Sequence, residues 1–105
     1  MPFTRPEPRF DASKFPKVPV ADAEGAFIDL YCLLPGQAQP VHTHADAEKC
    51  YYVLQGRGRF TLGGEVRELG PGEAAFAPHG VAHGVENVSN DPLVTLTVLT
   101  PKPQH

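Results

Sequence analysis

Long hydrophobic runs are missing from this chain of 105 residues. No apolar stretch approaches the roughly 18 residues that span a bilayer, and the first residues lack the apolar core of a secretion signal. A membrane role is therefore not expected, and cytoplasmic residence is. A basic excess is missing as well. Nine Lys and Arg stand against twelve Asp and Glu, a formal net charge of −3, which offers no grip on a phosphate backbone and speaks against nucleic-acid binding. Cysteine is scarce: Cys32 and Cys50 lack metal-ligand spacing and, without an export signal, read as two small reduced core residues. No window of about eleven residues keeps a 3.6-residue apolar period free of Pro and Gly, so amphipathic helices are excluded too.

What is plentiful is punctuation. Twelve prolines and ten glycines recur at short intervals, as in Pro35-Gly36, Gly63-Gly64, Gly70-Pro71-Gly72, Pro78-His79-Gly80 and Asp91-Pro92. Between them lie short runs of strand type at 26–34 (AFIDLYCLL), 50–54 (CYYVL), 59–62 (RFTL), 74–77 (AAFA) and 93–99 (LVTLTVL). Short strands separated by turn signals predict an all-β sandwich or barrel. The length is that of one domain. The first residues read differently, because Pro2, Pro6, Pro8, Pro16 and Pro19 forbid a helix interior and favour extended chain. The chain thus divides into an extended Pro-rich N-terminal arm over 1–25, a barrel over 26–100 and a C-terminal tail over 101–105. Phe3, Phe10, Phe15, Val18 and Val20 are too apolar for a solvated tail. An arm laid along the barrel or across a partner subunit would bury them, and a homodimer using Phe3, Phe10 or Phe15 is expected.

Four of the five histidines fall in two groups, His42 with His44 and His79 with His83. In a strand, residues i and i+2 share a face, so His42-Thr43-His44 aims two imidazoles into one space. Neutral imidazole is the commonest nitrogen ligand of first-row metals. The turn chemistry of Pro78 and Gly80 would re-aim the chain so that His83 enters the same space, and Gly72 suits a turn of positive φ.

This setting resembles the cupin superfamily, a small jelly-roll β-barrel marked by two motifs. The first is matched by Gly36, His42-Thr43-His44 and Gly56, with Tyr51 to Gly56 (YYVLQG) typical of its text; the second is matched throughout by Gly72, Pro78, Gly80, His83 and Asn87. The resemblance covers Ala26 to Leu99 and implies one divalent transition metal per chain (Fe, Mn, Ni or Zn) on His42, His44 and His83. Asn87 would serve behind the ligands or bond backbone near the barrel mouth.

The departure concerns the family's acidic ligand. Counting forward from His44 reaches Glu48, whereas counting back from Gly56 reaches Lys49. A one-residue slip turns a strand side chain to the other face, so only one of the two can point inward. Lys49 is the favoured inward residue, with Glu48 kept as the alternative fourth ligand. A divalent ion about 6 Å from an ammonium, at an effective dielectric near 20, repels it by roughly 5–6 kcal/mol, enough to leave the amine neutral at pH 7. Lys49 would swing outward, bond Glu48, act as a neutral base, or signal that no metal binds. By alternation, Tyr51, Val53 and Gln55 would share its face, with Phe60, Leu62 and Phe76 as apolar walls and His79 as a proton carrier at the mouth. Three neutral imidazoles leave the ion's charge uncompensated, which favours anionic ligands. Two readings follow: a metalloenzyme of dioxygenase or isomerase type acting on a small anionic metabolite, or a non-catalytic module that binds such a molecule.

Overall fold

Every regular element is a strand in the computed structural model, which describes residues 3–103. In chain order they are β1 (Lys17–Ala21), β2 (Phe27–Leu33), β3 (Ala38–His42), β4 (Glu48–Gln55), β5 (Gly58–Leu62), β6 (Glu65–Leu69), β7 (Ala74–Ala77), β8 (His83–Glu86) and β9 (Leu93–Thr100). They form a five-stranded sheet in the order β1-β2-β9-β4-β7 and a four-stranded sheet in the order β3-β8-β5-β6. Every paired neighbour is antiparallel. The two sheets enclose one core, as the strand-and-turn pattern predicts for a jelly roll.

That core is built from alternating inward residues: Tyr31 and Leu33 of β2, Tyr51 and Val53 of β4, Phe60 of β5, Ala75 of β7, Val85 of β8 and Leu93 of β9. Truncating a buried aromatic such as Phe60, which is 2% exposed, would cost about 3–5 kcal/mol. Tyr51 anchors the arrangement edge-on between Phe60 and Tyr31.

The stretch over 1–25 is more than an arm. β1 falls inside it and pairs with β2 as an edge strand, where the N–H that Pro19 lacks leaves no central ladder broken. Phe15 packs on Tyr31 with ring centroids 5.5 Å apart, and Phe10 joins a second cluster with Val18, Leu30, Cys32 and Val94. These aromatics are half-buried against their own barrel, while Phe3 stays exposed. The remaining exposed apolar side chains include Tyr52, Leu54 and Phe76, on the outer face of β4 and β7. Cys32 is buried, Cys50 half-buried, and both are free thiols. Among the described residues no helix is long and apolar enough to cross a membrane.

Candidate metal centre

The small sheet supplies the imidazoles. His42 ends β3 and His83 begins β8, and the two are direct partners in the antiparallel register. Gly84 makes the approach possible: a Cβ there would sit 2.9 Å from the Gln39 carbonyl oxygen and the Val41 nitrogen. His44 lies just beyond β3, and its carbonyl accepts a 2.8 Å hydrogen bond from the Gly80 backbone N–H. Gly80 (φ 80°) and Gly72 (φ 86°) both take the left-handed backbone expected of the turns they occupy. The turn closes with Val81 N–H donating to the Pro78 carbonyl at 3.1 Å and delivers His83 to the interior.

His42 and His83 use one device. In each, Nδ1 lies against the backbone carbonyl two residues earlier, Pro40 at 2.8 Å and Val81 at 2.9 Å. That bond places the proton on Nδ1 and leaves Nε2 with a bare lone pair. The His42 and His44 Nε2 atoms are 3.2 Å apart. One ligand atom from each of His42, His44 and His83 falls within 4.8 Å of the others. His83 Nε2 is buried and has no hydrogen-bond partner among the described residues. A buried acceptor so exposed to loss costs about 1–3 kcal/mol unless something binds it. A divalent cation accepts all three lone pairs, and the donor set fits one. Burial, followed by the charges of His42, Lys49 and His44 and opposed by the Val81 bond, holds the His83 pKa down to about 4. The ring is therefore neutral, as a ligand must be.

The large sheet supplies a second polar group. Lys49 is 1% exposed and points inward from β4, whereas Glu48, its chain neighbour, is exposed on the opposite face. Glu48 is not among the converging donors, so the fourth-ligand expectation is corrected by the ordinary alternation of the strand. The Lys49 amine neither swings outward nor bonds Glu48. It donates to Gln39 Oε1 at 3.0 Å, the same oxygen that accepts the Tyr51 hydroxyl at 2.6 Å. Gln39 Nε2 reaches the Tyr31 hydroxyl at 3.5 Å. The amine lies 4.8 Å from the Tyr31 ring centre and 5.1 Å from that of Tyr51. Burial, with Lys17 adding repulsion and Asp29 opposing, pushes its pKa down to about 7. The same burial drives Tyr31 up to about 12 and Tyr51 upward as well.

Both groups border a cavity of about 300 Å³, whose wall includes His42, His44, Lys49, Gln39, Asp29 and Tyr31. Gln39, Asp29 and Tyr31 were not singled out in the sequence. Gln39 and His42 differ by three positions, which in a regular strand places them on opposite faces. A register shift between them, three residues in β3 against two in β8, turns both inward. Gln55 shows the reverse. Grouped with Tyr51 and Val53 by alternation, it is exposed because the β4–β9 register shifts between Val53 and Gln55. Phe76, Phe60 and Leu62 do not border this cavity but share a separate one of about 190 Å³ between β5, β6 and β7, and Phe76 is 52% exposed. His79 is exposed on its turn and does not border this cavity. Asn87 is fully buried, at the end of β8 away from His83. Its amide donates to the carbonyls of Leu33 (2.9 Å) and Asp91 (2.8 Å), and its oxygen accepts from Ser89. It braces backbone and does not stand behind a ligand.

This fold, with three histidines converging from one sheet, is that of the cupins, and the family model for the cupin domain matches residues 29–99. The chain belongs to the cupin family. It is 36% identical over 70 residues to an uncharacterized protein of Methanocaldococcus jannaschii, a match taking in 67% of this chain and 56% of that one. It is also 29% identical over 69 residues to oxalate decarboxylase of Bacillus subtilis, covering 61% of this chain but only 18% of the larger protein. Among solved structures, a Thermus thermophilus protein superposes with a TM-score of 0.88 at 47% identity, over 90% of each chain.

Proposed function

We propose that this cupin is a mononuclear metalloenzyme of oxygenase or isomerase type that takes a small anionic metabolite at a centre held by His42, His44 and His83. The observation that carries the reading is the buried Nε2 of His83, which has no partner and faces two further ring nitrogens. When bound, a divalent ion supplies Lewis acidity to a coordinated oxyanion. The protein's own residues support such a ligand. Lys17 in the cavity wall raises the local potential for an anion. Phe27, Tyr31 and Leu99 contribute apolar wall that limits water. Asp29 lines the same cavity with its carboxyl pKa raised by burial, so it can hold or release a proton there. The similarity to a decarboxylase of oxalate supports carboxylates as the class of ligand.

Elemental analysis after reconstitution with Fe, Mn, Ni or Zn should find about one ion per chain, with small carboxylates such as oxalate binding only the loaded protein. Less than ~0.1 equivalent of every metal would overturn the reading. We propose also that the protein is a cytoplasmic homodimer. Two free cysteines fit a reducing compartment. The apolar strip of Tyr52, Leu54 and Phe76 supports association more than the arm does, since Phe10 and Phe15 pack on their own chain. Light scattering should find two chains, and Tyr52→Glu should return one.

A further inference from the structure

Among the described residues, Lys49 is the buried lysine, and the metal centre does not use it. Among the described residues its amine has one hydrogen-bond partner, the neutral Gln39 oxygen, and forms no ion pair. A buried ammonium offers three donors and normally finds a carboxylate. Here it has one acceptor and two aromatic faces. Burial beside a single neutral acceptor disfavours the charge more than the two ring faces favour it: in the neutral amine one N–H goes to Gln39 and the lone pair stays unclaimed. The group is closed to bulk water at 1% exposure yet borders the cavity that also holds His42, His44, Lys17 and Asp29. An unclaimed nitrogen lone pair in the wall of a ligand-sized cavity is the setting of a covalent amine nucleophile.

We propose that Lys49 captures carbonyl compounds, forming an imine with a small carbonyl-bearing carboxylate, a 2-oxo acid or an aldehyde acid, held in this cavity. The Nζ lone pair forms a bond to the carbonyl carbon while the carbon–oxygen π pair moves onto oxygen; nitrogen gives up one proton and that oxygen takes one up, giving a carbinolamine. Protonation of that hydroxyl lets the remaining carbon–oxygen bond break, water leaves, and the nitrogen lone pair forms a new carbon–nitrogen double bond as nitrogen gives up its second proton. The two protons that leave with the water balance the two given up by the amine, and no oxidant or reductant is consumed. Asp29 is placed to carry the proton, its carboxyl being held toward the protonated form by burial. The faces of Tyr31 and Tyr51 favour the protonated, cationic iminium and would repel an anionic adduct such as a carbamate. The depressed pKa of the amine, about 7, agrees with this role. The carboxylate half of the assignment rests on the oxyanion reading above; the amine half does not.

The test uses the full chain at pH 7, metal-loaded and chelator-treated in parallel, with glyoxylate or acetaldehyde and cyanoborohydride to fix any imine. At this pH an ordinary lysine has about a thousandfold less neutral amine than one with a pKa of 7. Peptide mapping should therefore find the reduced adduct on Lys49 at least about tenfold above Lys14 and Lys102, with glyoxylate ahead of acetaldehyde. Lys49→Met, checked for folding by its melting curve, should remove this adduct alone. Gln39→Glu, which hands the amine a carboxylate partner, should lower labelling while Lys49 remains. Equal labelling of Lys49 by both aldehydes would uphold amine capture and overturn its carboxylate half. Labelling of Lys49 no greater than that of Lys14 and Lys102 by either aldehyde would overturn the proposal, whatever the metal content.

Discussion

Two polar groups share the interior of this barrel, and they are finished to different degrees. On the large sheet, Lys49, Tyr51 and Tyr31 close on one another through Gln39, whose side-chain oxygen accepts two hydrogen bonds and whose nitrogen faces a third partner. On the small sheet, the Nδ1 atoms of His42 and His83 are spent on backbone carbonyls, while their Nε2 atoms face the shared space and that of His83 has no partner among the described residues. The first group satisfies itself and sets the character of one amine. The second is complete only with a ligand. Buried polar atoms are costly when unpaired, so an unpaired set that converges marks a binding site, and a paired set marks a scaffold or a tuned reagent.

The contrast breaks most sharply at His83. His83→Ala should weaken metal binding at least about 100-fold, more than the loss of a group that merely orients a ligand. Titration of the apo-protein with each metal measures it, and an affinity within a few-fold of wild type would place the ion elsewhere.

The two groups should also separate by pH. His83 has a folded pKa near 4, below the usual 6.5, so between these values the unfolded chain binds the extra proton. Stability of the metal-free protein should therefore fall as pH drops from 6.5 to 4. Lys49, near 7 against 10.5, acts in a higher window, where stability should rise from pH 7 toward 10. Above pH 10 the sign reverses, because Tyr31 ionises in the unfolded chain well before its folded pKa of about 12. Lys49→Met should stabilise the protein by on the order of 3 kcal/mol at pH 7 and flatten the upper window only. Denaturant melts across pH check both; an unchanged upper window would show that Lys49 is already paired.

Gln39→Ala should cost about 2 kcal/mol, because it strips the acceptor from a buried amine and a buried hydroxyl. Its metal affinity should stay near wild type, since Gln39 bonds none of the three rings; a large loss would mean that the two groups are one. The smallest effect is expected at Glu48. Exposed and turned away from the cavity, Glu48→Gln should change metal affinity less than about twofold in the same titration, as removal of a distant, screened surface charge does.

Much of this molecule could be read without coordinates. The breakers and short apolar runs marked the strands at 74–77 and 93–99 to within a residue of β7 and β9. The spacing His42-x-His44 and the turn before His83 pointed the three rings to one space; alternation allowed only one of Glu48 and Lys49 inside, and the count back from Gly56 favoured Lys49. β1 was hidden by its own prolines, which signal extended chain but not pairing. β6, with the sequence EVREL, is exposed along nearly its whole length and leaves no burial pattern to read.

Local sequence thus determined the strand class, the turns and the donor atoms, because these depend on side-chain chemistry and a period of two. Tertiary pairing decided the rest. One extra residue in β3 brings Gln39 to the same side as His42, and one in β4 turns Gln55 away from Tyr51 and Val53. A bulge inverts the facing of every residue beyond it, and where it falls is set by the partner strand. For that reason the imidazoles were legible in the chain, and the glutamine that holds Lys49 was visible only in the fold.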